Sequence, residues 1–152
     1  MIVNVQYLKT RKQNGKITAP PQTALLKSGP FLRVTITHPR LIQEQYKKDG
    51  KPCPEMTVQA LIDTGASCSI ITPDVAKKLN LHHTGFQTIA SVQGSQRFPV
   101  YSGLMVFHWK AAKAVPLVAC PLKVYECLIG RDILQHWHLS YNGVNGTLTI
   151  CD

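Results

Sequence analysis

The sequence predicts an all-β fold, a closed β-barrel of short strands with one or two short helices. Short segments alternate apolar and polar residues, as strands do when one face is buried. Turn-forming pairs such as Asn14-Gly15 and Gly29-Pro30 separate these segments at close intervals. Helical periodicity is confined to a few brief stretches. Many short strands with little helix are typical of barrels and closed sandwiches.

The elements are expected in the following order. The predicted strands are a first one from Val3, then Phe31 to Thr37, Met56 to Ile62, Ser69 to Ile71, two segments of a hairpin between Thr88 and Val106 that continues to Trp109, Val115 to Cys120, Tyr125 to Ile129, Leu139 to Tyr141 and Thr147 to Cys151. The predicted helices are Pro39 to Lys48 with Leu41, Ile42 and Tyr46 inward, Pro73 to Leu79 after an N-cap at Thr72, and Arg131 to His136. Ala19-Pro20-Pro21 and Lys110 to Lys113 are predicted to be a loop and a turn.

The chain has 152 residues, enough for one domain with a substantial core. No apolar run approaches the length that spans a membrane, and residues 1–16 lack the apolar segment of a signal peptide, so we expect a cytoplasmic protein without membrane contact. The net charge is +9, and no acidic residue precedes Glu44. We favour a solubilising terminus over a nucleic-acid-binding arm, because no aromatic residues are interleaved with the cations.

The cysteines and histidines do not form a metal-binding pattern. The five cysteines are odd in number and include no CxxC pair, which favours reduced thiols. His82-His83 and the pair His136 and His138 lack the accompanying cysteine pair of a structural zinc site. We therefore predict no metal and no cofactor. Cys68 as a nucleophile is a weaker alternative, since no base is placed beside it by the sequence.

The stretch Ala60-Leu61-Ile62-Asp63-Thr64-Gly65-Ala66-Ser67 is the candidate functional site. An apolar strand delivers one carboxylate into a turn, glycine allows close approach of backbone, and small residues follow. Such an arrangement places an acid on the floor of a cleft. The alternative from these residues alone is an ordinary turn with a solvated aspartate.

Two motifs together resemble the retropepsin-like aspartic proteases, homodimeric relatives of pepsin. The first is the turn from Leu61 to Ser67, and the second is Leu128-Ile129-Gly130-Arg131-Asp132-Ile133-Leu134. Asp63 and Gly130 are separated by 67 positions, within the spacing typical of that family. The resemblance covers residue 29 to the end. We therefore predict a basic N-terminal extension (1–28) and a retropepsin-like protease domain (29–152) with a single-lobe acid-protease barrel.

The resemblance implies an aspartic endopeptidase that acts on a peptide or protein substrate. Peptide hydrolysis by two acids requires one ionised carboxylate to accept a proton from water and one protonated carboxyl to polarise the scissile carbonyl. The sequence contains one Asp-Thr-Gly and no second Asp-Ser/Thr-Gly. A dyad would then need Asp63 from each of two subunits of a homodimer.

The resemblance also implies roles for the surrounding residues. Thr64 would bond the partner's turn and Gly65 would meet the substrate backbone. The substrate-binding residues would be Ala66, Ser67, Val92, Gln93, Gly94 and Ser95, the last four in a hairpin that closes over substrate as a flap. The structural residues would be Gly130, Arg131, which ties the following helix to the active-site loop, and Asp132, which favours the helix N-terminus.

The chain departs from the retroviral pattern in three ways. Ser67 stands where many retroviral members have Asp, so the partner of Arg131 is open; the flap has the single glycine Gly94 near its tip; and a turn and a strand follow the last helix. Two alternatives follow. The protein could be a catalytically silent peptide-binding or dimerisation module with the same fold, and residues before Gly29 could be a pro-segment.

Overall fold

The computed structural model describes residues 2–6, 20–91 and 94–151, with only the backbone described for residues 2–6, 91 and 110–113. Its strands are β1 (Ile2–Gln6), β2 (Phe31–Thr37), β3 (Glu55–Ile62), β4 (Ile70–Ile71), β5 (His82–Ser91), β6 (Gly94–Phe107), β7 (Lys110–Ala119), β8 (Cys127–Ile129), β9 (His138–Asn142) and β10 (Thr147–Cys151). Its helices are α1 (Pro21–Ser28), α2 (Arg40–Lys48), α3 (Pro73–Lys78) and α4 (Arg131–Leu134).

The chain forms two compact units, one of residues 1–31 and 134–152 and the other of residues 32–133. These units do not test the functional division predicted at residue 28, which stays a prediction. Within the described residues, no helix is long and apolar enough to span a membrane.

The larger unit is a closed barrel. Its strands run β2-β3-β8-β4-β7-β6, and pairing of β2 with β6 completes a ring of six. β5 lies outside the ring and pairs with the first half of β6 as a long antiparallel hairpin. The predicted fold class, an all-β closed barrel of the retropepsin-like kind, is confirmed. The described residues form four short helices rather than the predicted one or two.

The barrel interior is filled by alternate residues of these strands. Leu32, Val34 and Ile36 of β2 are at most 3% exposed, while Arg33 between them is exposed. Strand β3 alternates in the same way, with Val58, Ala60 and Ile62 buried. The alternation of apolar and polar residues in the sequence therefore predicts correctly both the strands and the side chains that fill the core.

The smaller unit contains a three-stranded antiparallel sheet in the order β1-β10-β9. Leu148 and Ile150 of β10 and Leu25 of α1 are at most 2% exposed. Gly146, in the turn before β10, has φ +63°, and a side chain there would collide with the backbone at Pro21. Only glycine satisfies both the left-handed backbone and the close approach of α1.

Several sequence predictions are wrong in detail. Ala19-Pro20-Pro21 was expected to be a loop, but Pro21 is the first residue of α1, where a fixed φ and a missing N–H cost nothing. Lys110 to Lys113 belong to β7, and the turn lies at 108–109. β5 already begins at His82 rather than near Thr88. α4 ends at Leu134, short of His136, and β8 is confined to Cys127–Ile129.

The predicted orientation of α2 is also wrong. Leu41 and Ile42 were expected to point inward, but they are 79% and 41% exposed, and α2 contains no buried residue. Tyr46 alone of the predicted trio is partly buried. The apolar spacing fits a helix, yet α2 packs on the barrel through too small a contact to bury its apolar face.

Candidate active site

Asp63 stands at the point where β3 ends and a tight turn begins. Its carboxylate Oδ1 accepts a 2.9 Å hydrogen bond from the Gly65 backbone N–H. The Ala66 N–H donates to the Asp63 carbonyl at 3.2 Å, closing the turn. The side chain is half-buried, whereas Thr64 and Gly65 are exposed. A single carboxylate is thus oriented at the barrel surface by the backbone of its own turn.

Parallel pairing of β3 with β8 brings the two sequence motifs together. Ala60 pairs with Cys127, Leu61 with Leu128 and Ile62 with Ile129, so each residue faces the one 67 positions later. The next pair in this register is Asp63 and Gly130, and the Asp63 N–H donates to the Ile129 carbonyl at 3.0 Å. The separation of the motifs is therefore the strand register itself.

Arg131 binds the backbone of the turn that follows Asp63. Its guanidinium Nη1 donates to the carbonyls of Thr64 at 2.8 Å and Gly65 at 2.9 Å, and its backbone N–H donates to Ala66 at 2.9 Å. The sequence left the partner of Arg131 open because Ser67 replaces an aspartate. In this structure the arginine binds the carbonyls of the turn that carries Asp63.

Ser69 and Asp132 join the segment after the turn to α4. Asp132 accepts from the Ser69 hydroxyl at 2.7 Å and from its backbone N–H at 2.8 Å, and it also accepts from the Ile133 N–H at 2.9 Å. Ser69 is fully buried, and its hydroxyl oxygen accepts from the Gly130 N–H at 3.1 Å. Buried polar groups that are fully satisfied in this way specify one geometry.

Gly130 lies directly on the chain that follows the turn. A Cβ at this position would strike the carbonyl oxygen of Cys68 and come within 2.5 Å of its carbonyl carbon. Because the neighbour is backbone, it has no rotamer by which to yield. A glycine is required here for the two motifs to approach each other.

The β5–β6 hairpin borders a cleft of about 500 Å³. The described residues that line it are Ile89, Gly94, Ser95, Gln96, Phe98, Cys120 and Pro121.

Two of the predicted substrate-binding residues, Gly94 and Ser95, therefore face this cleft. Val92 and Gln93 lie outside the described residues, and Ala66 and Ser67 do not belong to the lining.

An apolar cluster contains part of the cleft lining together with Cys68, which lies a few residues after the turn. Buried Ile70, Val100 and Val118 form its centre, and the partly buried side chains packed on them are Cys68, Ile89, Phe98, Cys120, Leu122 and Leu128. Burial raises the pKa of the Cys68 thiol, and the charge of Asp132 raises it further. Burial also raises the pKa of Cys120. A thiol kept protonated is a poor nucleophile, which argues against Cys68 as the reactive group.

Histidine, cysteine and acidic side chains are the candidate metal ligands over the part of the chain that the structure describes. Among the residues that the structure describes, no group of three or more His, Cys, Asp or Glu side chains is placed to hold a metal ion. The exposed imidazole of His83 packs edge-on against Phe86 and Tyr101 instead. The chemistry available at the turn is that of a carboxylate.

Comparison with known protein families identifies the family to which this chain belongs. Residues 54–136, more than half of the chain, match the model of the family described as "gag-polyprotein putative aspartyl protease". The chain belongs to this aspartyl protease family. The matched range begins just before β3 and ends just after α4, so it contains both motifs and the β5–β6 hairpin. No curated protein sequence matches the chain significantly.

The chain is also similar to solved structures of viral proteases. The chain is similar to EIAV protease in complex with the inhibitor HBY-793, with 19% identity, a TM-score of 0.50, and coverage of 70% of this chain and 86% of that one. It is also similar to the solution structure of simian foamy virus (mac) protease, with 13% identity, a TM-score of 0.45, and coverage of 70% and 92%. The recognition of a retropepsin-like protease from its two motifs is confirmed.

Sequence reasoning missed Ser69 and the register of β3 with β8. The sequence pattern indicates Ser69 only as the first residue of a short strand, although a buried serine between apolar residues needs a hydrogen-bond partner. Asp132 is the acid in the second motif and would have been the natural candidate. The spacing of 67 residues is typical of the family, and the fold shows that it originates in the pairing of β3 with β8.

Proposed function

We propose that this protein is an aspartic endopeptidase in which two copies of the chain each contribute Asp63 to one dyad. The observation that carries the proposal is the fixed Asp63 carboxylate on a turn held by Gly65, Arg131 and the β3–β8 register. The sequence offers a single Asp-Thr-Gly, so one chain supplies half of the acid–base pair. A two-fold axis supplies the second half from an identical turn.

The proposed chemistry divides the work between two equivalent carboxyl groups. The ionised Asp63 accepts a proton from a water molecule as that water attacks the scissile carbonyl carbon. The protonated Asp63 of the second copy donates a hydrogen bond to the carbonyl oxygen as negative charge develops on it. Proton transfer to the amide nitrogen then releases the amine, and the carboxylate pair regains its single shared proton.

The supporting residues hold this geometry and close the site. Thr64 is proposed to bond the turn of the second copy, and Gly65 to bond the substrate backbone. The β5–β6 hairpin with Gly94 and Ser95 is proposed as the flap, with Val92 and Gln93 at its tip. Ala66 and Ser67 would contact substrate beside the acid. Exclusion of bulk water under such a lid strengthens the electrostatic contacts.

The test is Asp63→Asn in the full chain. It removes the ionisable group but keeps the shape and the hydrogen bond from Gly65, so we expect cleavage of unfolded casein between pH 4 and 8 to fall by about 10³-fold or more while the fold is kept. Asp74→Asn, on the exposed first turn of α3, is the matched control and should cleave like wild type. A hydroxyl-bearing transition-state mimic should inhibit the wild type.

Two results would contradict the proposal. Casein cleavage by Asp63→Asn at the wild-type rate would exclude Asp63 as the acid. A dimeric wild type with no inhibitable turnover at any pH in this range would instead identify the chain as a peptide-binding or dimerisation module of the same fold.

A further inference from the structure

Helix α2 is a feature of this chain that the aspartyl protease assignment does not explain. It lies between β2 and β3, and the family match begins only at residue 54, beyond the helix. It buries none of its residues. A nine-residue helix has little stability of its own in water. Its stability therefore depends on its contacts with the rest of the protein.

Two side chains anchor α2 to the barrel. Gln43 donates a 2.6 Å hydrogen bond to the carbonyl of His38, and the Tyr46 ring packs 5.5 Å from the His38 ring. His38 is 4% exposed and contacts the Leu79 carbonyl at 2.8 Å through Nε2. Gln43 and Tyr46 therefore hold α2 against His38, and these contacts determine which way the remaining side chains of the helix point.

Helix α2 also borders an open pocket of about 460 Å³ whose charged side chains are mostly basic. Its lining includes Arg40, Glu44 and Lys47, which recur at helical spacing, the anchor residue Gln43, and Lys51 and Cys53 beyond the helix. Three cations face one carboxylate. Within residues 20–91 and 94–151, no ion pair is formed by Arg40, Lys47 or Lys51. Their charge is available to a ligand.

Helix electrostatics explains only part of this charge. Lys47 and Lys48 lie in the last turn, where cations complement the helix dipole. Arg40 is the first residue of the helix, at the end where a cation is disfavoured, and the first turn contains no acid. An anion bound beside Arg40 would remove this conflict.

Exposed apolar surface adjoins the basic pocket. Leu41, one position from Arg40 and three from Glu44, is 79% exposed, and Ile42 is 41% exposed. An inorganic anion would leave this surface in water, whereas a peptide with acidic and bulky apolar side chains would use both. We propose that the α2 basic face, formed by Arg40, Leu41, Glu44, Lys47 and Lys51, binds an acidic segment of a partner protein that carries a bulky apolar residue.

The binding is independent of the protease proposal, and it is tested in the full chain carrying Asp63→Asn so that no probe is cleaved. The probe is a fluorescein-labelled 12-residue peptide with four Glu and two Leu, compared with the same peptide with Gln in place of Glu. We expect saturable binding of the acidic peptide in fluorescence anisotropy, weakened by added salt, and no saturation with the Gln peptide.

Charge reversal locates the site. Lys47→Glu with Lys51→Glu should weaken binding of the acidic peptide by about tenfold or more, and Leu41→Ser should weaken it several-fold. Lys77→Glu with Lys78→Glu, at two exposed positions of α3, changes the net charge equally and should leave the affinity within about twofold of the parent. All variants carry surface substitutions, and their circular dichroism should match that of the parent.

Three results would overturn the proposal. Equal loss of affinity in the α3 control would show that only net charge matters. Equal binding of the Gln peptide would show that the acids are not recognised. Binding of heparin with the same sensitivity to Lys47→Glu and Lys51→Glu, without any binding of the acidic peptide, would identify a polyanion site in place of a peptide site.

Discussion

Gly130 leaves no room for even one additional side-chain atom. The space that a Cβ would need is occupied by the backbone of Cys68, and the Gly130 N–H is bound by the buried Ser69 hydroxyl. Both contacts are made by the segment that follows the Asp63 turn. A side chain at residue 130 would push apart the two motifs on which the candidate site depends.

We therefore expect Gly130→Ala to destabilise the protein by about 1–3 kcal/mol, because overpacking against backbone cannot be relieved by a rotamer change. Denaturant unfolding measures the loss. Gly143→Ala is the control, since its Cβ would meet only the Tyr141 side chain at 3.4 Å, and it should stay within about 0.5 kcal/mol of wild type. Equal stability of both variants would show that the Cys68 backbone yields freely.

Residue-scale features differ in how far the sequence predicts them. Asp63 and Arg131 are visible because their neighbours form recognisable motifs. Ser69 is not, because its role depends on a partner, Asp132, that is 63 positions away. Leu41 and Ile42 have the spacing of a buried helix face, and only the tertiary packing of α2 determines that they stay exposed.

At the scale of elements, β8 is a three-residue strand that is paired on both sides within the barrel. Cys127 pairs with Ala60 of parallel β3 and Ile71 of antiparallel β4. It is fully buried, and burial raises the pKa of its thiol above the ordinary value of 9.0, with the charges of Asp132 and Glu126 adding to the effect. The folded barrel therefore keeps this proton where the unfolded chain releases it.

This difference makes the barrel sensitive to alkali. Below pH 9 the thiol is protonated in both states, and its contribution to stability is complete. Above pH 9 only the unfolded chain loses the proton, so the free energy of unfolding should fall by about 1.4 kcal/mol for each pH unit until the folded pKa is reached.

The prediction is a steeper decline for wild type than for Cys127→Ala between pH 9 and 10.5, by about 2 kcal/mol in total. Denaturant unfolding at a series of pH values measures both curves. The variant should be less stable throughout because of its cavity, and the two curves should run parallel below pH 8. Parallel curves above pH 9 as well would exclude the buried thiol as the cause.

The ends of helices and strands are predicted less well by local sequence pattern than their centres. β2 extends from Phe31 to Thr37 as predicted, because each alternate residue is buried. α1 was missed because the Pro20-Pro21 pair resembles a breaker, although proline is compatible with the first turn of a helix. The run from Lys110 to Lys113 looks like a polar turn, but pairing with β6 makes it strand. Pairing partners distant in sequence decide such segments.

At the scale of the whole molecule, the proposed activity depends on a second copy. The candidate site offers one oriented carboxylate per chain, and the sequence contains no other Asp-Ser/Thr-Gly turn. If two chains share a dyad, subunits with and without the acid must produce inactive mixed dimers. An enzyme that acted as a monomer would ignore the presence of inactive chains.

Mixing therefore distinguishes the two cases. Wild type incubated with a ninefold excess of Asp63→Asn, at concentrations that favour dimers, should lose activity to about one tenth of its value, because random exchange leaves few dimers with two aspartates. Casein cleavage after equilibration is the measurement. The same excess of Asp74→Asn should raise activity instead, since those chains keep Asp63. Undiminished cleavage in the first mixture, with subunit exchange verified by differently tagged chains, would show that one Asp63 turn suffices and that the dyad is not shared.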